Sequence, residues 1–213
     1  MMWQSNKHTT LRIVCATLLV AGCCTACGMA EDDDDERKRY EYLTLSDERF
    51  EHFVLAHYDL NGDRRLSRYE AERVVEMDCS EQGIHSLNEI SDFKNLRKLN
   101  CSRNNLTQLD LERNRALAEL QCAENELEEL QLGTVRALTH IDCSDNRLTR
   151  IDLGAAVNLH WFAAEGNRFT TVDLVPCSNA LQARLRRNPQ LKTIYARSSQ
   201  EVDYESPAEL YER

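Results

Sequence analysis

The chain has 213 residues and a formal net charge of -10, with 26 Lys and Arg against 36 Asp and Glu. An acidic surface repels phosphate backbones and gains nothing from counterion release, which argues against general nucleic-acid binding. Seven Gly and three Pro exclude collagen-like and proline-rich disordered chains, and 42% hydrophobic residues with 7% aromatics imply a folded chain with an aliphatic core.

Residues 1–22 read as a signal peptide. Lys7, His8 and Arg12 precede an apolar run at 13–21, shorter than the roughly 20 residues a membrane-spanning helix needs and suited to a secretory segment. The run ends in Leu19, Val20, Ala21, Gly22 and Cys23, which resembles a bacterial lipobox. That resemblance implies cleavage before Cys23, lipidation of its thiol, and membrane attachment at about 0.8 kcal/mol per buried CH₂. An ordinary signal peptide cut near Ala26 is the alternative. Cys24 and Cys27 form a CxxC spacing but have no second pair, so they belong with the tether rather than with redox or metal chemistry. The acidic block 31–36 stays solvated by self-repulsion, and 23–43 as a whole reads as an acidic tether. Acidic stretches shortly after a lipidated cysteine resemble surface-export signals of some Gram-negative lipoproteins; a plain spacer is the other reading.

Residues 44–76 carry a metal-loop pattern. Phe50, Phe53, Val54 and His57 recur at helical spacing behind an N-cap at Ser46, Asp47 and Glu48. In the stretch 59–70, Asp59, Asn61, Asp63, Ser67 and Glu70 fall at loop positions 1, 3, 5, 9 and 12. That spacing wraps oxygen ligands around one hard ion, with Arg65 contributing its backbone carbonyl. The stretch resembles an EF-hand and implies Ca²⁺ as ligand, with Leu66 apolar inside the loop and Ala71, Val74 and Val75 opening the exiting helix. Arg64 stands where an EF-hand has Gly, at a left-handed turn that costs a non-Gly residue on the order of 1 kcal/mol. Weak affinity follows, with a structural rather than a switching role; a helix-loop-helix that binds nothing is the alternative.

A repeat then fills 77–197. Leu96, Leu99, Cys101, Asn104 and Leu106 recur twenty-one residues on as Leu117, Leu120, Cys122, Asn125 and Leu127. Leu138, Ile141, Cys143, Asn146 and Leu148 follow, then Leu159, Phe162, Ala164, Asn167 and Phe169. A degenerate copy at Cys79, Ile84 and Leu87 precedes them. The second half of each unit adds the pairs Leu109 and Leu111, Leu130 and Leu132, Ile151 and Leu153, and Val172 and Leu174. The pattern resembles bacterial leucine-rich repeats of the short internalin-like type. The fold expected is an α/β solenoid: a short parallel-sheet leucine-rich-repeat horseshoe with an N-terminal helix-loop-helix (EF-hand) cap. Alternation points Leu99 and Cys101 inward from a short strand, and stacked coils bury each other's apolar edges. So short a unit leaves the outer side extended or 3₁₀.

The asparagine row satisfies backbone groups where the chain turns in. The cysteine row packs as small apolar groups with free thiols. After Val172 the phase is expected to slip: 181–190 reads as irregular, and Ile194 and Ala196 re-enter at the Leu99 and Cys101 slots. The acidic tail 198–213 frays or caps the end.

The outward strand positions grade from basic through acidic to a Trp/His end. Lys98, Glu119, Gln121, His140, Asp142 and Trp161 are the candidate ligand-binding residues of the concave face, since exposed aromatics are enriched in binding hot spots. Trp161 covering the last coils is the alternative. No GxSxG, HExxH or P-loop spacing occurs, so no enzyme is expected. The whole reads as a monomeric, lipid-anchored outer-membrane protein, surface-exposed in one version, that recognises a protein ligand or mediates adhesion. A carbohydrate-binding module using Trp161 and a purely structural envelope protein are the rivals.

Overall fold

The computed structural model describes residues 41–205 and 207–213. The expected signal peptide, the lipidation site Cys23 and the Cys24/Cys27 pair lie outside the described residues.

Two helices open the described residues, α1 (Glu48–Tyr58) and α2 (Arg68–Ala71). Asp47 caps α1, its side chain accepting from the amides of Arg49 and Phe50. Ser67 and Glu70 form a capping box on α2. The exiting helix is one turn long, shorter than expected: Val74 is buried but Val75 is exposed, and the chain turns straight into a strand at Glu76. β-branched residues weaken a helix continuation and favour extended backbone.

Twelve short strands follow. β1 (Glu76–Asp78), β2 (Lys98–Asn100), β4 (Glu119–Gln121), β6 (His140–Asp142), β7 (Trp161–Ala163), β9 (Gln182–Arg184) and β11 (Glu201–Asp203) form a parallel seven-stranded sheet in that order. The second half of each coil forms two smaller parallel sheets. One pairs β3 (Gln108–Asp110) with β5 (Glu129–Gln131); the other joins β8 (Thr171–Asp173), β10 (Thr193–Ala196) and β12 (Glu209–Glu212). Between them 150–152 pairs with neither neighbour. The outer side is therefore extended, with one 3₁₀ turn at Asn88–Asp92. The result is a parallel β-solenoid.

Leu99, Leu120, Ile141 and Phe162 stand in register along the main sheet and are buried beside Cys79, Cys101, Cys122 and Cys143. The register corrects the expected slip. Ala183 pairs with Phe162, and Leu185 and Asn188, both buried, stand twenty-one residues beyond Ala164 and Asn167, so 181–190 is a full coil. Ile194 pairs with Val172 in the second sheet, and Ala196, one step beyond the paired Tyr195 and Asp173, belongs with Leu174 rather than with the cysteine row. The misreading arose because the extra residue after Cys177 is offset by a shorter step from Leu181 to Ala183. The tail adds a strand to each of two sheets. β11 extends the main sheet, and buried Gln200 donates to the carbonyls of Leu174 (2.9 Å) and Ser178 (3.0 Å).

Asparagines tie each coil to the one before. The Asn146 amide donates to the carbonyls of Cys122 (3.0 Å) and Cys143 (3.1 Å), while its oxygen accepts from the Leu127 amide at 2.9 Å. Asn104, Asn125, Asn167 and Asn188 repeat the arrangement. Just before each asparagine the backbone turns left-handed, at Arg103, Glu124, Asp145, Gly166 and Arg187, and Glu81 does the same before Gln82 in the first coil. Arg103 there bridges Glu81 (2.6 Å) and Glu124 (3.0 Å). Arg187 reaches two coils back to Asp145 at 2.7 Å, over Gly166, where a Cβ would collide with the Asp145 carboxylate.

Candidate functional site

The main sheet's outward face is built from two side-chain columns because residues either side of each inward apolar position point out. Strand register aligns Glu76, Lys98, Glu119, His140, Trp161, Gln182 and Glu201 in the first. Asp78, Asn100, Gln121, Asp142, Ala163, Arg184 and Asp203 form the second by the same pairings. All six candidate ligand-binding residues therefore share one face: Lys98, Glu119, His140 and Trp161 in one column, Gln121 and Asp142 in the next.

The expected basic end is neutralised. Lys98 lies between Glu119 (3.3 Å) and Glu76 (3.9 Å). Two hollows adjoin along this face. One of about 350 Å³ is lined by Glu76, Asp78, Lys98 and Asn100 together with Glu119 and Gln121; the other, about 290 Å³, runs from Glu119 and Gln121 to His140, Asp142 and Trp161. Trp161 is half-buried, with the Arg184 guanidinium 4.6 Å from its ring centre. Reading 181–190 as irregular hid Arg184; the twenty-one-residue step from Asn167 to Asn188 is the signal that finds it.

His140 has a defined neighbour. Thr139 Oγ1 donates to the Ala118 carbonyl at 3.1 Å and lies 2.9 Å from His140 Nδ1. Asp142 accepts the Ser144 amide at 3.0 Å.

The N-terminal loop, residues 59–67, joins the two helices. Arg64 takes the left-handed conformation, φ 63°, and Leu66 is buried. Asp59 accepts from the amides of Gly62 (2.8 Å) and Arg64 (2.9 Å), and Asn61 accepts from the Asp63 amide at 2.9 Å. Asp63 accepts from the Arg65 amide (2.9 Å) and the Tyr42 hydroxyl (2.8 Å). Glu70 is buried and accepts from the Leu60 amide at 2.9 Å with one oxygen; the other takes the Ser67 amide and hydroxyl at 2.8 and 2.7 Å. The loop thus closes on itself through hydrogen bonds. The donors are of the kind a hard ion takes, but among the described residues no three carboxylate, imidazole or thiol groups stand close enough to hold a metal. Residues 41–43, assigned by sequence to the tether, cover the loop: Leu43 donates to the Leu66 carbonyl and Arg68 to the Glu41 carbonyl, both at 2.8 Å, and Arg65 lies 3.7 Å over the Tyr42 ring.

The described cysteines, Cys79, Cys101, Cys122, Cys143 and Cys177, are free and buried. Burial pushes the Cys79 thiol up to about 12 and raises Cys101, Cys122 and Cys143 above the ordinary thiol value, so none is an activated nucleophile.

No protein-family model matches the sequence, and no curated protein matches it. Among solved structures, an internalin of Listeria monocytogenes, InlF, superposes with a TM-score of 0.59 at 14% identity, over 76% of this chain and 52% of its own. The chain thus spans about half the length of that internalin. The functional domain of another Listeria monocytogenes protein, InlJ, described as including a cysteine ladder, gives a TM-score of 0.37 at 17% identity, over 76% of this chain and 60% of that one. At such identities the likeness to InlF is one of architecture: the chain has an internalin-like leucine-rich-repeat fold.

Proposed function

We propose that the chain is a recognition protein that holds a protein ligand on the outward face of its seven-stranded sheet. The observation that carries this reading is the unbroken pair of outward columns from Glu76 to Glu201, with Trp161 half-exposed among them. The internalin-like fold supports it. The helical hairpin acts as N-terminal cap, burying Phe50, Phe53 and Val54 in the core shared with the first coil, since solenoids need covered ends. No residue in this reading is catalytic. Attachment through a lipid on Cys23 to the outer membrane, as a monomer, rests on the sequence alone and is tested by palmitate labelling of wild type against Cys23→Ser.

The test of recognition is capture from neighbouring-cell or host extracts by the immobilised full chain. Gln121→Arg combined with Trp161→Ala, which alters only outward positions, should abolish capture of a partner that wild type retains. Retention of the same partner by the double variant overturns the assignment. Stacking of a sugar ring on Trp161 is a second reading, favoured by the ring's place beside the 290 Å³ hollow; a glycan screen with Trp161→Ala separates the two. A calcium role for Asp59, Asn61, Asp63, Arg65, Ser67 and Glu70 stands on their spacing. If calcium holds the loop, a millimolar concentration raises Tm and Glu70→Gln removes the gain; no shift leaves the hydrogen-bonded loop as the cap by itself.

A further inference from the structure

The two hollows on the main sheet have a consistent chemistry. Their floor is the strand backbone at Met77, Leu99, Leu120 and Ile141, whose side chains point inward and are buried. Along their walls stand four carboxylates, Glu76, Asp78, Glu119 and Asp142, against one cation, Lys98, which is already shared by two of them. His140 stands on the same wall, its Nδ1 2.9 Å from the Thr139 hydroxyl. Trp161 closes the far end and already carries one guanidinium, that of Arg184. Carboxylates and an indole ring together favour a donor-rich cation and repel an anion.

We infer that the groove from Asp78 to Trp161 takes a basic segment of the protein partner, with an arginine or lysine side chain seated between Glu119, Asp142 and Trp161. This deepens the recognition reading above and rests on it. The occupant is fixed by charge complementarity: an incoming cation gains from four carboxylates that one lysine cannot balance. The attraction weakens as salt rises, because the groove is open to solvent.

The sequence contains two tryptophans, so Trp3→Phe in the full chain leaves Trp161 as the one reporter. Nona-arginine is titrated against this protein with tryptophan fluorescence and calorimetry as readouts. Nona-glutamate and chitohexaose serve as comparison probes. The expected result is a saturable change at Trp161 with nona-arginine, with Kd rising at least tenfold in Glu119→Gln combined with Asp142→Asn. Glu112→Gln combined with Glu128→Gln, two acids of a separate hollow beside β5, leaves Kd within twofold. Melting curves confirm that both double variants fold. Equal loss in the two variants means general attraction to an acidic protein and overturns the inference, as does a response to nona-glutamate or chitohexaose in place of nona-arginine. Should nona-arginine fail while the extract partner is still captured through Trp161, the recognition reading stands and this occupant is wrong.

Discussion

An asparagine at each turn does what a helix or sheet ladder does elsewhere, answering backbone groups that the tight coil would leave unpaired. Removing Asn146 orphans two carbonyls and one amide at a buried position, each worth about 1–3 kcal/mol. Asn146→Ala should therefore lower stability by about 3 kcal/mol in urea denaturation, whereas loss of an exposed pair such as Arg147–Glu126 costs about 1 kcal/mol or less. Asn114 shows the same logic at a different slot. It is fully buried and donates to the carbonyls of Ile90 and Phe93 at the end of the 3₁₀ turn, which also accept the amides of Phe93 and Leu96. Later coils place Val135, Ala156 and Cys177 at that slot; all are buried, and no 3₁₀ turn precedes them.

At the scale of elements, Asp47 joins the hairpin to the solenoid beside the apolar contacts of Phe50, Phe53 and Val54. One oxygen caps α1; the other accepts from the amides of His85 (2.7 Å) and Ser86 (3.0 Å) in the first coil. Burial alone would raise this carboxyl, but the four amides, from Phe50, His85, Ser86 and Arg49, outweigh it and hold the pKa below the ordinary aspartate value. A depressed carboxyl stabilises the fold above its unfolded value, about 3.9, and that stability is lost as pH falls through the lower folded value. Acid titration should thus release the cap below about pH 4. Asp47→Ala should cost about 2–3 kcal/mol at neutral pH and flatten this part of the acid dependence. Unchanged acid lability in the variant would place the sensitive group elsewhere.

For the molecule as a whole, the inward register decides which surface is free. The cysteine row lies inside, so the native full chain treated with a bulky maleimide should leave Cys79, Cys101, Cys122 and Cys143 unlabelled in peptide mapping. The same sites should label completely in urea. Rapid native labelling at any of them would put that coil inside out and remove the outward columns with it. The main sheet runs unbroken from β1 to β11, while the second sheet breaks at 150–152, so continuity on one side alone carries the array past that coil. Leu153 stays buried and Ile151 half-buried there, so apolar packing persists where the hydrogen-bond ladder does not.

The period of twenty-one, the inward apolar row, the asparagine turns and the six outward candidates were legible in the sequence, because strand alternation and a fixed repeat dictate facing without reference to anything distant. The cap's first helix was legible for the same reason, through Asp47 and the spacing of Phe50, Phe53 and Val54. The coil at 181–190 was half legible: the twenty-one-residue step from Asn167 to Asn188 marks it, and its pairing with β7 fixes the register of Ala183 and Arg184. Two things were decided only by tertiary contact. The basic end at Lys98 loses its character to Glu76 and Glu119, which neighbouring strands bring beside it. Tyr42, far from the loop in local pattern, reaches Asp63 and Arg65 because the chain folds back to pair with Leu66 and Arg68. Local periodicity sets which way a side chain points; only the stacking of coils sets what it meets.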